Sequence, residues 1–500
     1  MRKHRPAHIY DVLIVGAGIS GIGAGIRLQG EGFENFIILE KAADLGGTWR
    51  DNTYPGCECD VPSALYSYSF AQKPDWTRNF AGQAEILDYV RETAERKGML
   101  PYIRFNQGVE RAQWDESAGY WVVKTADATY YARTTIACGG YLHEPIIPNI
   151  PGLEGFKGKL FHSSRWDHAH DLAGERVAVI GTGASAIQFV PKIQPLVKHL
   201  AIFQRTAQWV LPKPNKRNSD LKKRAFRQSL LLNAWRKVLY GGFESFGIGF
   251  RKPALLRQLQ KLGISHLRRK VADPVLRAKL TPNYTLGCKR VLMSNRYYPA
   301  LCEPNVDLFA TGVKEVRGNV VVGADGSEAE VDTIILGTGF FVTEQPIAKL
   351  IFDGKGRSLS QAWEQRMQAY RGTTIAGFPN SFMVLGPNLG IGHNSAFVVI
   401  EAQLDYIMSA LVTMRDKQLA RIDVRPEVQA RFNEEVQKDL QGTVWNTGGC
   451  SSYYLDKNGF NSIGFPWSTL KMRKLLANFD EGSYYTEQQA AAAIGMGKAA

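Results

Sequence analysis

Two segments of this 500-residue chain run from an apolar strand into a glycine-rich turn, and no other feature limits its fold as much. The first reads Val12-Leu-Ile-Val-Gly16-Ala-Gly18-Ile-Ser-Gly21. The second reads Val177-Ala-Val-Ile-Gly181-Thr-Gly183-Ala-Ser185-Ala186. Glycines at this spacing let a strand turn sharply into a helix whose first N–H groups meet a pyrophosphate. Gly16, Gly18 and Gly21 form one such cradle; Gly181, Gly183 and Ser185 form the other, with Ala186 in the third glycine's place. Twenty-four residues past each leading glycine stand Glu40 and Arg205. An acid there accepts hydrogen bonds from an unmodified ribose, whereas an Arg pairs with a 2′-phosphate. Two different dinucleotides are therefore expected, FAD on the first unit and NADPH on the second, and with them redox chemistry. The fold class is α/β, with two Rossmann-like dinucleotide-binding domains, the second inserted in the first, and a helical subdomain.

A hydrophobic content of 44% and a charged content of 22% suit two or three globular domains. The N-terminal residues lack the apolar stretch of a secretory signal, and no uncharged apolar run approaches the roughly 18–20 residues that span a bilayer. A cytoplasmic protein is expected. The net charge of +14 is concentrated: residues 213–279 carry 18 Lys and Arg against Asp220, Glu244 and Asp273. With apolar clusters such as Leu230-Leu-Leu and Trp235, this stretch reads as a basic amphipathic helical insert over about 213–280. Two readings stand: it packs on its own protein with its basic side solvated, or it touches an anionic membrane surface weakly. No nucleic-acid motif accompanies it. The six cysteines form no C-x-x-C pair and no metal-ligand spacing, so reduced thiols and no metal are expected.

The pattern divides the chain into an FAD-binding part (1–142), a proline-rich linker (143–170), an NADP-binding part (171–335), a return to the FAD domain (336–485) and a disordered tail (486–500). Gly337-Thr-Gly339 follows a hydrophobic strand and suits a backbone close to a cofactor. Two further motifs stand out. Gly46-Gly47-Thr-Trp49-Arg-Asp-Asn-Thr-Tyr54-Pro55-Gly56-Cys-Glu-Cys-Asp60 is a constrained loop expected to run along the flavin, ending in an acid that either pairs with a base or caps the next segment. Phe156-Lys-Gly158-Lys-Leu-Phe-His162-Ser-Ser-Arg-Trp166-Asp167 lies between the two glycine units.

These residues carry a resemblance. The segment Phe156, Gly158, His162, Trp166 and Asp167 is similar to the Baeyer–Villiger monooxygenase fingerprint, and the Gly46–Asp60 loop is similar to that family's second signature. The resemblance implies fold, cofactors and chemistry: NADPH reduces FAD, O₂ adds to form a C4a-peroxyflavin, and a ketone becomes an ester or lactone. Gly47 and Trp49 on the constrained loop and Gly339 after its strand are expected as cofactor contacts, and Asn388 stands on a Gly-rich loop that either contacts FAD or substrate or is plain loop structure. The resemblance places Lys289 with Arg205 and Thr206 at the 2′-phosphate, and Arg290 over the flavin as the active-site arginine held by Asp60. His162 becomes a connector between domain motion and NADPH position. His393 and Trp445 lie on segments that either contact ligand or are structural. Taken without the resemblance, Lys289-Arg290 is one more basic dipeptide. Two other functions remain open: a flavin monooxygenase oxidising sulfur or nitrogen, and a membrane- or partner-binding flavoprotein acting through its basic insert.

Overall fold

The structure, a computed structural model, describes residues 6–456 and 458–488. Its centre is two sheets. In the first, Tyr10–Val15 is flanked in parallel by Phe36–Leu39 and Thr129–Ala137. Ile103–Arg104 extends one edge; the antiparallel strands Val109–Asp115 and Tyr120–Thr125 extend the other. The central strands are buried on both faces, which is why they read as continuous Val, Leu and Ile runs. The antiparallel pair alternates buried and less buried residues, as strands with one wetter face do.

The second sheet is wholly parallel, in the spatial order Val306–Phe309, His199–Phe203, Arg176–Ile180, Thr333–Leu336, Lys159–His162. After it the chain returns to the first sheet. Ile351–Phe352 pairs with Val109–Asp115, and Ser381–Met383 pairs with Thr129–Ala137. The second unit is thus an insertion in the first, an α/β arrangement of two dinucleotide-binding folds. Lys159–His162, expected within a linker, is instead the edge strand of the second sheet. Its residues pair one for one with Thr333–Leu336.

The two glycine turns differ in how their helices start. The first helix, Ile19–Gly30, begins before Gly21, and a Cβ on Gly21 would fall 1.8 Å from the Gly16 carbonyl oxygen. The second, Ala186–Ile193, begins only at residue 186. Ala186 is fully buried there, so this departure from glycine fits a later helix start.

The basic stretch is helical: Asp220–Phe226, Ser229–Arg251, Leu256–Lys270 and Pro274–Lys279. Leu232, Phe250, Leu256 and Leu267 pack inward, while Leu221, Leu230 and Val238 stand in solvent. One helix, Ala396–Asp416, has the length and apolar composition of a membrane span, but two thirds of its apolar window is buried in the core. Two expectations are corrected. Thr486–Gln488, taken as the start of a disordered tail, pair with the strand Leu419–Val424; residues 489–500 lie outside the described residues. The cysteines are not all free thiols, because Cys288 and Cys450 form a disulfide. Their separation of 162 residues leaves no local spacing from which to read it.

Candidate active site

Both cradles have the backbone shape that a pyrophosphate needs. Gly16 and Gly181 adopt φ of +101° and +103°, where a side chain is strained, and a Cβ on either would strike a neighbouring carbonyl. Gly18 faces Gly47 so closely that a Cβ on Gly47 would lie 3.1 Å from the Gly18 Cα. Gly183 and Gly339 face open space. Ser185 immediately precedes the second helix and leaves its hydroxyl free of a capping bond to it. These crevices are lined by backbone rather than side chains, which fits two dinucleotides.

Glu40 follows the strand Phe36–Leu39 directly and is buried. Its carboxylate accepts from the Ala17 and Ala42 N–H groups at 2.8 and 3.0 Å and pairs with Arg50 at 3.0 Å. Arg205 is exposed, with Thr206 beside it and Lys289 close enough for its charge to lower the Lys289 pKa, an effect second to burial. The Lys289 ammonium lies 5.3 Å from the Tyr284 ring centre. Among the described residues neither Arg205 nor Lys289 forms an ion pair with an acid. Two neighbouring cations without an acidic partner repel one another, a cost that an anion between them would relieve.

Arg290 grips Asp60 with both arms of its guanidinium. Nε donates to Oδ2 and Nη2 donates to Oδ1, each at 2.7 Å. Burial raises the Asp60 pKa, but the Arg290 charge and these bonds outweigh it and hold the carboxyl below its ordinary value. In return the Asp60 charge, against the opposing effect of burial, lifts Arg290 well above its ordinary value. The Arg290 side chain still keeps 44% of its surface accessible, so pairing with Asp60 does not bury it.

The loop bearing Asp60 has a second tether that sequence reasoning missed. Lys213, counted there only within the basic run, is buried; its Nζ lies 2.8 Å from Glu58 and donates to the Cys59 carbonyl at 2.9 Å. Gln188, on the helix of the second unit, bonds the same loop: Oε1 accepts from the Tyr54 hydroxyl at 3.0 Å, and Nε2 donates to the Glu58 carbonyl at 2.9 Å. Gly56, at φ +83°, abuts the Gln188 carbonyl. The motif therefore divides: Gly47 sits in the first cradle, and the indole of Trp49 donates to the Tyr66 hydroxyl at 3.0 Å. Tyr54-Pro55-Gly56, on the loop expected along the flavin, also joins the two units.

The Phe156–Asp167 segment is similarly structural in its contacts. A Cβ on Gly158 would meet the Asp332 carbonyl oxygen at 2.1 Å and the Phe156 ring at 2.6 Å. Trp166 packs against Phe161 and Phe189, and Asp167 pairs with Lys159 at 2.5 Å. His162 is buried, its Nδ1 bonded to Ser164 and its ring against Phe340. Burial lowers its pKa to about 4, which makes it a neutral imidazole near pH 7.

Asn388 lies at φ +54° and donates through Nδ2 to the Asn461 and Gly464 carbonyls, leaving buried Oδ1 without a protein partner. His393 bonds Glu244 of the helical insert at 3.0 Å, with Asn394 on the same carboxylate. Trp445 is buried between Phe250 and Tyr454, its indole N–H unpartnered. Tyr141, Tyr453 and Tyr454 stand within electrostatic reach of Arg290. None of these aromatics belongs to a local motif. Among the described residues no cluster of His, Cys, Asp and Glu could hold a metal.

This site belongs to a recognisable class. Residues 10–220 match the family of flavin-binding monooxygenase-like proteins. A Baeyer–Villiger monooxygenase of Streptomyces coelicolor is 44% identical over 99% of this chain and 96% of its own length. One from Pseudomonas aeruginosa is 44% identical over 97% of this chain and 92% of its own. The crystal structure of OTEMO in complex with FAD and NADP superposes with a TM-score of 0.85, at 26% identity, over 97% of this chain and all of that one. The chain belongs to the Baeyer–Villiger monooxygenase family.

Proposed function

We propose that this protein is an FAD-containing, NADPH-dependent monooxygenase that converts ketones to esters or lactones. One atom of O₂ enters the product and the other leaves as water, with NADPH supplying two electrons. FAD when bound supplies the activation of O₂, and the residues described above supply binding, orientation and charge. Gly16, Gly18, Gly21, Glu40 and Gly47 hold FAD. Gly181, Gly183, Ser185, Arg205, Thr206 and Lys289 hold NADPH, the last three at the 2′-phosphate. Residues 1–142 and 336–485 build the FAD side, and residues 171–335 the NADP side.

The observation that carries the reading is the bidentate Arg290–Asp60 pair, whose arginine side chain stays partly accessible. A ketone carbonyl under attack gathers negative charge on its oxygen. A guanidinium stays charged throughout, and one already held by a carboxylate needs no reorientation as that charge grows. Asp60 is thus a positioning residue and Arg290 the catalytic one. Lys213 and Gln188 fix the loop that holds Asp60. His162, buried and neutral, is a connector at the end of the second sheet's edge strand and no proton carrier.

The test is Arg290→Ala. NADPH is expected to bleach the bound flavin at the normal rate, while ester formation falls by about 10²–10³-fold, the range for losing one preorganised stabiliser. Ester formation at the wild-type rate would refute the assignment.

A further inference from the structure

The disulfide Cys288–Cys450 lies beside the reaction centre, and nothing in the proposed chemistry uses it. Cys288 is fully buried and immediately precedes Lys289 and Arg290. Cys450 lies three residues before Tyr453-Tyr454, the aromatic pair near Arg290. Around the sulfurs the two segments are zipped together. Across them Thr285 N–H donates to the Gly448 carbonyl at 2.9 Å, while within the first segment Cys288 N–H closes a turn on the Thr285 carbonyl at 3.1 Å. Gly448 is pressed so close that a Cβ there would lie 2.5 Å from the Cys288 Cβ. Gly287, at φ +93°, is packed among Leu256, Phe250 and Val444. The residue leading into Lys289-Arg290 is therefore bonded covalently to the segment of Trp445, Tyr453 and Tyr454. The first segment follows the helical insert, the second belongs to the chain that has returned beyond the first sheet.

We infer that the Cys288–Cys450 disulfide is a redox-controlled positioning element for Arg290, setting how much NADPH oxidation ends in ester rather than in hydrogen peroxide. The inference rests on the catalytic role proposed for Arg290. With the bond closed, the loop holding Arg290 keeps its register against Asp60 and the tyrosines. With it open, only backbone bonds and packing hold that loop, and misplacement of a catalytic group by about 1 Å can cost 10²-fold in rate. Oxygen activated but not transferred leaves as hydrogen peroxide. Closure removes two electrons and two protons from the two thiols, and hydrogen peroxide accepts them and becomes two waters. A dithiol reverses it by exchange, returning both cysteines as thiols and becoming a disulfide itself. An enzyme that begins to leak peroxide would thereby restore its own coupling.

The test uses the full-length FAD-bound enzyme. After treatment with an equivalent of hydrogen peroxide, denaturation and alkylation should tag only Cys57, Cys59, Cys138 and Cys302, and prior reduction by a dithiol should raise the count to all six. Six tags without reduction would overturn the inference. Ester formed and hydrogen peroxide released per NADPH consumed are then measured in both redox states. Reduction is expected to lower ester yield by about tenfold or more, with peroxide rising to match, flavin bleaching unchanged and reoxidation restoring the yield. Cys288→Ser and Cys450→Ser should each sit at the reduced level, the double variant no lower, because the two act as one unit. All three should ignore the dithiol. Variants that couple as well as the oxidised wild type would overturn the positioning role. A wild type that forms no ester in either state, with four tags present, would overturn the Arg290 chemistry and leave the crosslink itself standing.

Discussion

Arg290 and Asp60 are 230 positions apart, yet their contact is the most specific in the molecule's proposed chemistry: two bonds of 2.7 Å between a planar fork and a carboxylate. Spacing alone could not reveal it; resemblance to a known family suggested the partners, and the geometry shows them joined. Glu40 and Arg205 stood out in the sequence for a different reason. Each sits at a fixed offset from its own glycine turn, so a local strand–turn–helix unit carries the signal. Lys213 was illegible, because a buried lysine and a solvated one look alike within a basic run. At the proposed 2′-phosphate site, Arg205→Ala is expected to raise the KM for NADPH by about 10-fold or more while leaving that for NADH nearly unchanged, since a lost charge-assisted contact to phosphate acts on only one of the two. Steady-state kinetics with both nucleotides decides it; equal effects on both would contradict the 2′-phosphate role.

The elements that matter most are the ones that join the two units. Lys159–His162 looked like part of a linker because prolines precede it and it holds only four residues. Its partners, Thr333–Leu336, lie more than 170 residues away, so no hairpin signal marks it. The contact of the Tyr54-Pro55-Gly56 corner with the second unit was illegible for a related reason. A glycine required by close approach looks the same in sequence whether its neighbour is a cofactor or a helix. The helix here is Ala186–Ile193, and a Cβ on Gly56 would come 2.7 Å from the Gln188 carbonyl oxygen at a φ of +83°. Gly56→Ala is therefore expected to leave FAD bound but to push that helix away, slowing NADPH-driven flavin reduction by about 10-fold or more, because small misplacements are costly in transfer reactions. Rapid-mixing absorbance of the flavin checks it, and unchanged reduction would place the corner outside the coupling of the two units.

Across the whole molecule, the α/β class with two dinucleotide-binding units and the return of the chain to its first sheet were legible in the sequence, whereas the strand order was not read from it. Nor were the long-range ties: the disulfide, Gln188 on the Gly56 loop and Glu244 on His393 all join residues more than 100 positions apart. The buried connector His162 gives the assembled protein an acid limit. Its folded pKa of about 4 lies below the ordinary 6.5, so between those values the unfolded chain binds the extra proton. Stability is unaffected by this group above pH 6.5 and falls as the pH drops from 6.5 to 4, by at most about 3 kcal/mol. Thermal melts at pH 7.5 and 5 should show a smaller acid loss for His162→Gln than for the wild type; equal losses would contradict the shift. The central claim concerns where the oxygen goes, and product analysis under ¹⁸O₂ measures it directly. With NADPH, a panel of aliphatic, cyclic and aryl ketones and one thioether, an ester or lactone carrying a single labelled oxygen is predicted. Labelled sulfoxide with no ester from any ketone would contradict it.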